Sequence, residues 1–309
     1  MISTSTSTST STFLDITHEP VRFTPPKGSV DCHTHVFGPG DSFPWDPRRS
    51  YTPGDASIED LNGLHKHLGI DKVVIVHPSP YGADNACTVN ALELLGLERA
   101  RGVAVIDPST THSELKHMQS VGVRGVRINL ETYGLKDPQA ALQMLLHTEK
   151  QVSPLGWHIQ IFTRLAVLVS LAEHIKKLAV PLVIDHFCLI DPDLGLSQPG
   201  LEVLQELLES GKVWLKLSAP YRITKTPDSS EVKELARYLI SANPNRVVWG
   251  TDWPHPGGVK HGQPRSRDVI EPFQPINNGV ALNRLQGWTR SEDELLKILV
   301  TNPTHLYGF

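Results

Sequence analysis

Apolar and polar positions along the chain form a repeating pattern of short β-rich runs and longer stretches with helical spacing. The runs are rich in valine, isoleucine and other strand-forming residues, and they lie at 30–36, 72–79, 101–108, 123–130, 157–163, 181–187, 212–218 and 246–252. Nearly continuous apolar runs of this kind are typical of parallel strands that are buried on both faces. The pattern therefore predicts eight parallel strands.

The segments between these runs carry apolar residues three and four positions apart, as one face of a helix does. IEDLNGLHKHLG, LAVLVSLAEHIKKL and LEVLQELLESG are examples, and two of them end in a glycine that suits a helix end. Alternating strands and helices predict an α/β fold, either a (β/α)8 TIM barrel or a doubly wound open sheet. Because no glycine-rich nucleotide-binding motif follows any predicted strand, the barrel is favoured.

The amino terminus differs from the rest of the chain. Its first twelve residues, MISTSTSTSTST, alternate serine and threonine and lack the basic and apolar regions of a secretory signal. We therefore expect a disordered Ser/Thr-rich tail and lead-in over residues 1–29, followed by a single barrel domain over residues 30–309.

Composition narrows the class of protein. The 309 residues include 29 basic and 33 acidic ones, for a net charge of -4, which argues against a nucleic-acid partner. No run approaches the roughly 18 apolar residues of a membrane span, so no membrane partner is expected. Cys32, Cys87 and Cys188 lack CxxC spacing and suit a reducing compartment, so the expected location is cytoplasmic. The oligomeric state cannot be inferred from the sequence.

Histidines at the ends of the predicted strands indicate where chemistry takes place, because barrel enzymes place their active sites there. His33 and His35 end the first strand, and alternate residues of a strand share a face. Their imidazoles, about 6 to 7 Å apart along the strand, could chelate a metal or hold one water. His186 ends the sixth strand, and both a structural and a functional role are open for it.

Asp252 ends the eighth run, where a carboxylate in apolar surroundings is costly unless it is solvated, paired or catalytic. In a barrel its side chain shares the mouth with His33, His35 and His186. A water held among these groups would have a base beside it to take its proton.

Several ordered segments together carry a resemblance to a known family. They are VDCHTHVFGP, YTP, PSPYGADN, GVRGVRIN, GWHIQIF, the DH pair, KLSAPYR, WGTDWPHP and NPTHLYGF. The set, which runs from about Val30 to Phe309, resembles the amidohydrolase superfamily in the branch that contains the 2-pyrone-4,6-dicarboxylate lactonases. The resemblance implies a TIM barrel with a hydrolytic site at the strand ends.

The resemblance also bears on a metal. Metal-dependent members typically add a histidine at the end of the fifth strand, and sometimes a carboxylated lysine on the fourth. Here the fourth strand has no lysine, and His158 lies at the beginning of the fifth, where a structural role is favoured. The lactonase branch is understood to work without metal, so no cofactor is expected. If zinc or manganese is bound, His33, His35 and Asp252 are the expected ligands.

The expected reaction is hydrolysis of a small, carboxylated lactone. Asp252 accepts a proton from water held near His33, His35 and His186, and the resulting nucleophile attacks the carbonyl and opens the ring. Two alternatives are open. One is a metal-dependent hydrolase or non-oxidative decarboxylase of the same superfamily, and the other is a binding protein that has lost its chemistry.

Cationic and hydroxyl side chains near the predicted mouth suggest how an acidic substrate is held. Arg124 and Arg127 lie three residues apart in one strand and therefore face opposite ways. The resemblance selects Arg127 as the one that contacts substrate. Arg222 is the second candidate for this contact, since guanidinium groups bind carboxylates bidentately. Further candidate contacts are Ser79, Tyr81, Tyr51 and His255. The long segment 255–279, which contains His261, Arg265 and Arg267, is expected to shape specificity.

Overall fold

Parallel strands form a nearly closed barrel. The computed structural model describes residues 16–257 and 265–309. Within them an eight-stranded parallel sheet has sequential order. Its strands are β1 (Val30–Thr34), β2 (Lys72–Val76), β3 (Ala100–Ala104), β4 (Val123–Asn129), β5 (His158–Phe162), β6 (Leu182–Ile184), β7 (Val213–Ser218) and β8 (Val247–Gly250). The predicted (β/α)8 barrel is confirmed, and each strand lies within or next to its predicted run.

The barrel closes where the chain leaves β8 beside β1. The amide of Asp252 donates to the carbonyl of His33 at 2.9 Å, and the amide of His35 donates to the carbonyl of Trp253 at 2.8 Å. Thr34 and Trp253 also form a parallel bridge. Because these contacts join the end of β1 to the residues just after β8, closure brings the segment after β8 against His33 and His35.

Helices cover the outside of the barrel. The α-helices of the described residues are α1 (Ile58–Leu68), α2 (Ala86–Leu95), α3 (His112–Ser120), α4 (Pro138–Val152), α5 (Leu165–Ile175), α6 (Leu201–Glu209), α7 (Ser230–Ala242), α8 (Asn278–Trp288), α9 (Glu292–Leu296) and α10 (Asn302–Tyr307). Local sequence sets their ends: Ser57 and Asp60 form a capping box at the start of α1, and Gly69 ends it in a left-handed conformation. None of these helices is both long and apolar enough to cross a membrane.

Two short strands were not predicted. Thr52–Pro53 pairs in parallel with Ile270–Glu271, so the loop after β1 lies against the segment after β8. Hydrogen bonds extend the contact, since Arg49 and Thr52 donate to the carbonyl of Arg267. We call residues 47–53 and 265–271 the roof segments, because they lie over the carboxyl end of the barrel.

The lead-in packs along the barrel, whereas residues 1–15 of the predicted tail lie outside the described residues. The amide of Glu19 donates to Asn277 at 3.0 Å, and the amide of Arg22 donates to Asn283 in α8 at 2.8 Å. A Cβ on Gly279, also in α8, would overlap the backbone of Glu19. Gly279 thus permits the close approach of the lead-in.

The α8 glycines allow this packing to be tested. Gly279→Ala is expected to destabilise the fold by roughly 1–3 kcal/mol, because the added methyl displaces the Glu19 backbone. Gly287→Ala in the same helix is expected to stabilise by roughly 0.5–1 kcal/mol, because a Cβ there meets nothing within 4 Å. Urea denaturation of both variants measures the difference. Equal changes in unfolding free energy would contradict close packing of the lead-in.

His158 has the structural position that the sequence favours. It begins β5, its ring meets that of Tyr307 edge-on at 5.3 Å, and a Cβ on Gly125 would overlap its imidazole. Burial, reinforced by the charge of Lys216, lowers the pKa of His158 to about 3. The ring is therefore neutral in the folded protein at ordinary pH.

This pKa makes stability depend on pH with a defined sign. The unfolded chain protonates His158 near pH 6.5, and the folded chain does not until about pH 3. The contribution of His158 to the free energy of unfolding is thus fully present above pH 6.5 and decreases as the pH falls below that value. Between pH 6 and 5, His158→Gln is expected to lower the slope of the unfolding free energy against pH by about 1.4 kcal/mol per pH unit. Urea denaturation at a series of pH values measures this slope. His147→Gln, at an exposed position of α4, is the control. An unchanged slope in the His158 variant would refute the prediction.

Candidate active site

Four side chains named from the sequence converge at the carboxyl ends of the strands. Oδ1 of Asp252 lies 3.5 Å from Nε2 of His33, 3.4 Å from Nε2 of His35 and 3.7 Å from Nε2 of His186. All four are buried. Asp252 has a φ of 65°, a conformation that non-glycine residues rarely adopt and that recurs at functional sites.

The second oxygen of Asp252 is held by the segment after β7. Oδ2 accepts hydrogen bonds from the Tyr221 hydroxyl at 2.5 Å and from Nε and Nη2 of Arg222 at 2.9 and 2.7 Å. Burial acts to raise the pKa of Asp252, but the charge of Arg222 and the nearby histidines hold it well below its ordinary value. The carboxylate is therefore ionised, with one oxygen anchored and one directed at the imidazoles. Tyr221 was not among the residues predicted for the site.

Each imidazole is oriented by its Nδ1. That of His35 lies 2.7 Å from the carbonyl of Val76, which can only accept, so Nδ1 carries the proton. Nε2 of His35 is directed at Oδ1 of Asp252, 3.4 Å away. Nδ1 of His186 lies 2.8 Å from the hydroxyl of Ser218, which can donate or accept.

A buried polar network lies beneath the histidines. Lys216, fully buried in β7, donates to Gln160 at 2.7 Å, and its Nζ lies 3.3 Å from Nδ1 of His33 and 3.6 Å from Oδ1 of Asp185. Oδ2 of Asp185 accepts from Nε of Arg127 at 3.1 Å and from Gln160 at 3.0 Å. Burial lowers the pKa of Lys216. The sequence signal for this network is a lysine and a glutamine inside apolar strand runs, which strand patterning alone does not distinguish from outward-facing positions.

A cavity opens beside the cluster and brings together several predicted substrate contacts. His35, Tyr51, Ser79, Arg127 and Arg222 line it. It also contains residues that were not predicted to contact substrate, namely Asn129, Thr132, Phe162 and Arg265. Three guanidinium groups thus border one small space next to Asp252.

Three other candidates lie outside this cavity. Arg124 is at the opposite end of β4, where Nη1 donates to the carbonyls of Gln119 and Val123. Tyr81 accepts from the amide of Gly38 and stacks on Trp45 with ring centroids 4.5 Å apart. His255 is buried behind Tyr221, with Nδ1 3.4 Å from the tyrosine hydroxyl. His261 lies outside the described residues.

The cluster also fits a divalent cation. Ligand atoms of His33, His35 and Asp252 lie within 4.8 Å of one another, as do those of His33, Asp185 and His186. Nε2 of His33 and Oδ1 of Asp252 are buried and form no hydrogen bond with any described residue. Two imidazoles and a carboxylate are a donor set that suits zinc or manganese.

Known proteins resemble this chain over nearly its full length. The chain is 35% identical to 4-sulfomuconolactone hydrolase of Hydrogenophaga intermedia, over 94% of this chain and 91% of that protein. It is 34% identical to 2-pyrone-4,6-dicarboxylate hydrolase of Comamonas testosteroni, over 93% of this chain and 92% of that protein. A crystal structure of a probable 2-pyrone-4,6-dicarboxylic acid hydrolase from Acinetobacter baumannii, with citric acid bound, superposes with a TM-score of 0.74 at 26% identity and covers 91% of this chain and 100% of that chain.

The family comparison agrees with the barrel and the relatives. Residues 30–309, from the first barrel strand to the last residue, match the family described as Amidohydrolase. The protein belongs to the amidohydrolase family.

Proposed function

We propose that the protein hydrolyses a small lactone that carries anionic groups, with Asp252 as general base. One observation carries the proposal: an ionised, buried carboxylate oxygen faces Nε2 of His35 at 3.4 Å, beside a cavity bordered by three guanidinium groups. The names of the relatives, a sulfomuconolactone hydrolase and a pyrone dicarboxylate hydrolase, support a cyclic ester with anionic substituents.

The nucleophile is a water molecule held between His35 and Asp252. In the neutral ring of His35 the proton lies on Nδ1 toward Val76, so Nε2 is an acceptor, as Oδ1 of Asp252 is. A water that donates one proton to each satisfies both, and its oxygen lone pair then faces the cavity. As this oxygen attacks the lactone carbonyl, Asp252 takes the proton.

His33 supplies a donor for the developing oxyanion. Burial, with the charge of Lys216, lowers the pKa of His33 to about 3, so the ring carries one proton. We assign to His33 the tautomer in which Lys216, with Nζ 3.3 Å away, donates to Nδ1, so that the proton of the ring lies on Nε2 at the reacting centre. Oδ1 of Asp185 also lies 3.3 Å from this Nδ1, and its charge acts to raise the pKa of His33 against the effect of burial. A fixed donor aimed at the carbonyl oxygen stabilises the tetrahedral intermediate.

Arg127 is the main anchor for a substrate carboxylate. Its hydrogen bond within the described residues uses Nε, toward Asp185, and leaves both Nη groups for a bidentate contact. Arg222 already commits Nε and Nη2 to Asp252, so its chief role is to keep the base ionised. Ser79 and Tyr51 add hydroxyl groups along the same cavity wall.

A metal-dependent hydrolase is the second candidate, because the donor set fits a divalent cation. His33, His35 and Asp252 would hold the ion, which would polarise the lactone carbonyl and lower the pKa of water. We favour the metal-independent reaction on the tautomer assigned to His33, in which Lys216 donates to Nδ1 and Nε2 carries a proton rather than a lone pair.

The first prediction from the proposed mechanism concerns the general base, Asp252. Asp252→Asn is expected to lower kcat for lactone hydrolysis by about two to four orders of magnitude, because the amide cannot take the proton. The measurement is the loss of ring absorbance for a panel that includes 2-pyrone-4,6-dicarboxylate and 4-sulfomuconolactone, with and without chelator. Asp228→Asn, at an exposed carboxylate, is the control. Normal turnover in the Asp252 variant would eliminate the proposed base, and activity lost to chelator and restored by metal would favour the second candidate.

The second prediction concerns pH. Arg222 lowers the pKa of Asp252, and activity is lost as pH falls through that pKa. Arg222→Met is therefore expected to move the acid limb of the kcat/KM profile to higher pH, whereas Arg222→Lys moves it less. Arg127→Met, which contacts Asp185 rather than Asp252, is expected to raise KM and leave the limb in place. An acid limb that does not move in the Arg222→Met variant would rule out this role.

A further inference from the structure

The third guanidinium of the cavity comes from the roof segments. Arg265 begins the segment 265–271 and lines the cavity together with Arg127 and Arg222. Its Cζ lies 3.7 Å from the centroid of the Tyr51 ring, so it stacks on a side chain of the other roof segment. The roof segments therefore place one cation directly over the substrate space.

A buried carboxylate holds Arg265 in this position. Nε donates to Oε2 of Glu271 at 2.8 Å and Nη2 donates to Oε1 at 2.6 Å, a bidentate pair. Glu271 is only 4% exposed and so depends on this partner. The pair uses one edge of the guanidinium, and Nη1, which no described residue takes as a hydrogen-bond donor, is left for a ligand in the cavity.

Charge balance gives Arg265 a role that the other two arginines cannot take. Arg127 is paired with Asp185 and Arg222 with Asp252, and both carboxylates belong to the reacting centre. A ligand that pulls Arg222 off Asp252 disturbs the base, and Arg127 can hold a first carboxylate only through the Nη groups that its contact with Asp185 leaves. Glu271 is paired with Arg265 and belongs neither to the base nor to the network under His33. Arg265 can therefore share its charge with a ligand while the reacting centre keeps its geometry.

We propose that the Arg265–Glu271 pair is a specificity determinant. Arg265 recognises a second anionic group on the lactone ring, and Glu271 limits the strength of that interaction. This inference rests on the proposed function for the identity of the ligand as a lactone. Its recognition step is independent of turnover, because it requires binding alone.

Equilibrium binding of ring acids that cannot be hydrolysed tests the pair. The probes are pyridine-2,4-dicarboxylate and pyridine-2-carboxylate, titrated by calorimetry into the whole protein. Arg265→Met is expected to lower the affinity for the dicarboxylate by about 10- to 100-fold, the usual range for a lost charge-assisted hydrogen bond. The monocarboxylate, anchored by Arg127, is expected to change by less than about threefold. Arg265→Lys keeps the charge and is expected to lie between wild type and Arg265→Met.

Two further variants separate recognition from a structural role. Glu271→Gln keeps the shape and frees the charge of Arg265, so the dicarboxylate is expected to bind several-fold more tightly. Arg267→Met removes a roof contact to the carbonyl of Pro47 without changing the charge of the cavity, and is expected to leave both affinities within about twofold. Weaker dicarboxylate binding in Glu271→Gln, an Arg267→Met loss as large as that of Arg265→Met, or equal losses for both probes in Arg265→Met would overturn the proposal.

The outcomes also distinguish the two proposals. Dicarboxylate binding that depends on Arg265, in a protein that hydrolyses no lactone of the panel, would support the pair and refute the proposed function. Lactone hydrolysis with dicarboxylate affinity unchanged in Arg265→Met would support the function and refute the pair.

Discussion

The ion pair between Asp252 and Arg222 is the interaction on which the site depends. A carboxylate removed from water at the mouth of a barrel would ordinarily take up a proton, because burial penalises the charged form. Arg222 and Tyr221 hold Oδ2, so the charge persists and Oδ1 remains directed at three imidazoles. The same pairing lowers basicity, so proton transfer to Asp252 depends on holding water, base and carbonyl in register. Without the pair, the close approach of Oδ1 to Nε2 of His35 would not define a place for water.

Barrel closure puts this ion pair beside the histidines. Asp31, fully buried in β1, accepts from the amide and the hydroxyl of Thr251 at 2.9 and 2.6 Å, and the amide of Asp252 donates to the carbonyl of His33. These bonds join the last strand to the first through residues adjacent to the reacting groups. The junction of β8 with β1 thus closes the barrel and positions the site. Hydrogen bonds on both sides of Asp252 hold its left-handed conformation there.

Much of the fold and the centre of the site follow from local sequence, and the remainder from contacts between distant segments. Apolar runs and helical spacing predict the barrel because each strand and helix shows its own periodicity. His33, His35, His186 and Asp252 follow from their places at strand ends. The pairing of Thr52–Pro53 with Ile270–Glu271 leaves no periodic trace in two residues, so Arg265 could not be placed over the cavity. Lys216 is one polar residue in an apolar strand, and Tyr81 faces Gly38 because of packing that spacing does not encode.

The most direct test of the account is a crystal structure of the Asp252→Asn variant soaked with 2-pyrone-4,6-dicarboxylate. The account predicts an intact lactone whose ring carbonyl oxygen accepts a hydrogen bond from Nε2 of His33, whose reacting carbon faces the space between His35 and residue 252, and whose carboxylates contact Arg127 and Arg265. A lactone bound with its carbonyl turned away from the histidines, or with its carboxylates remote from both arginines, would contradict it.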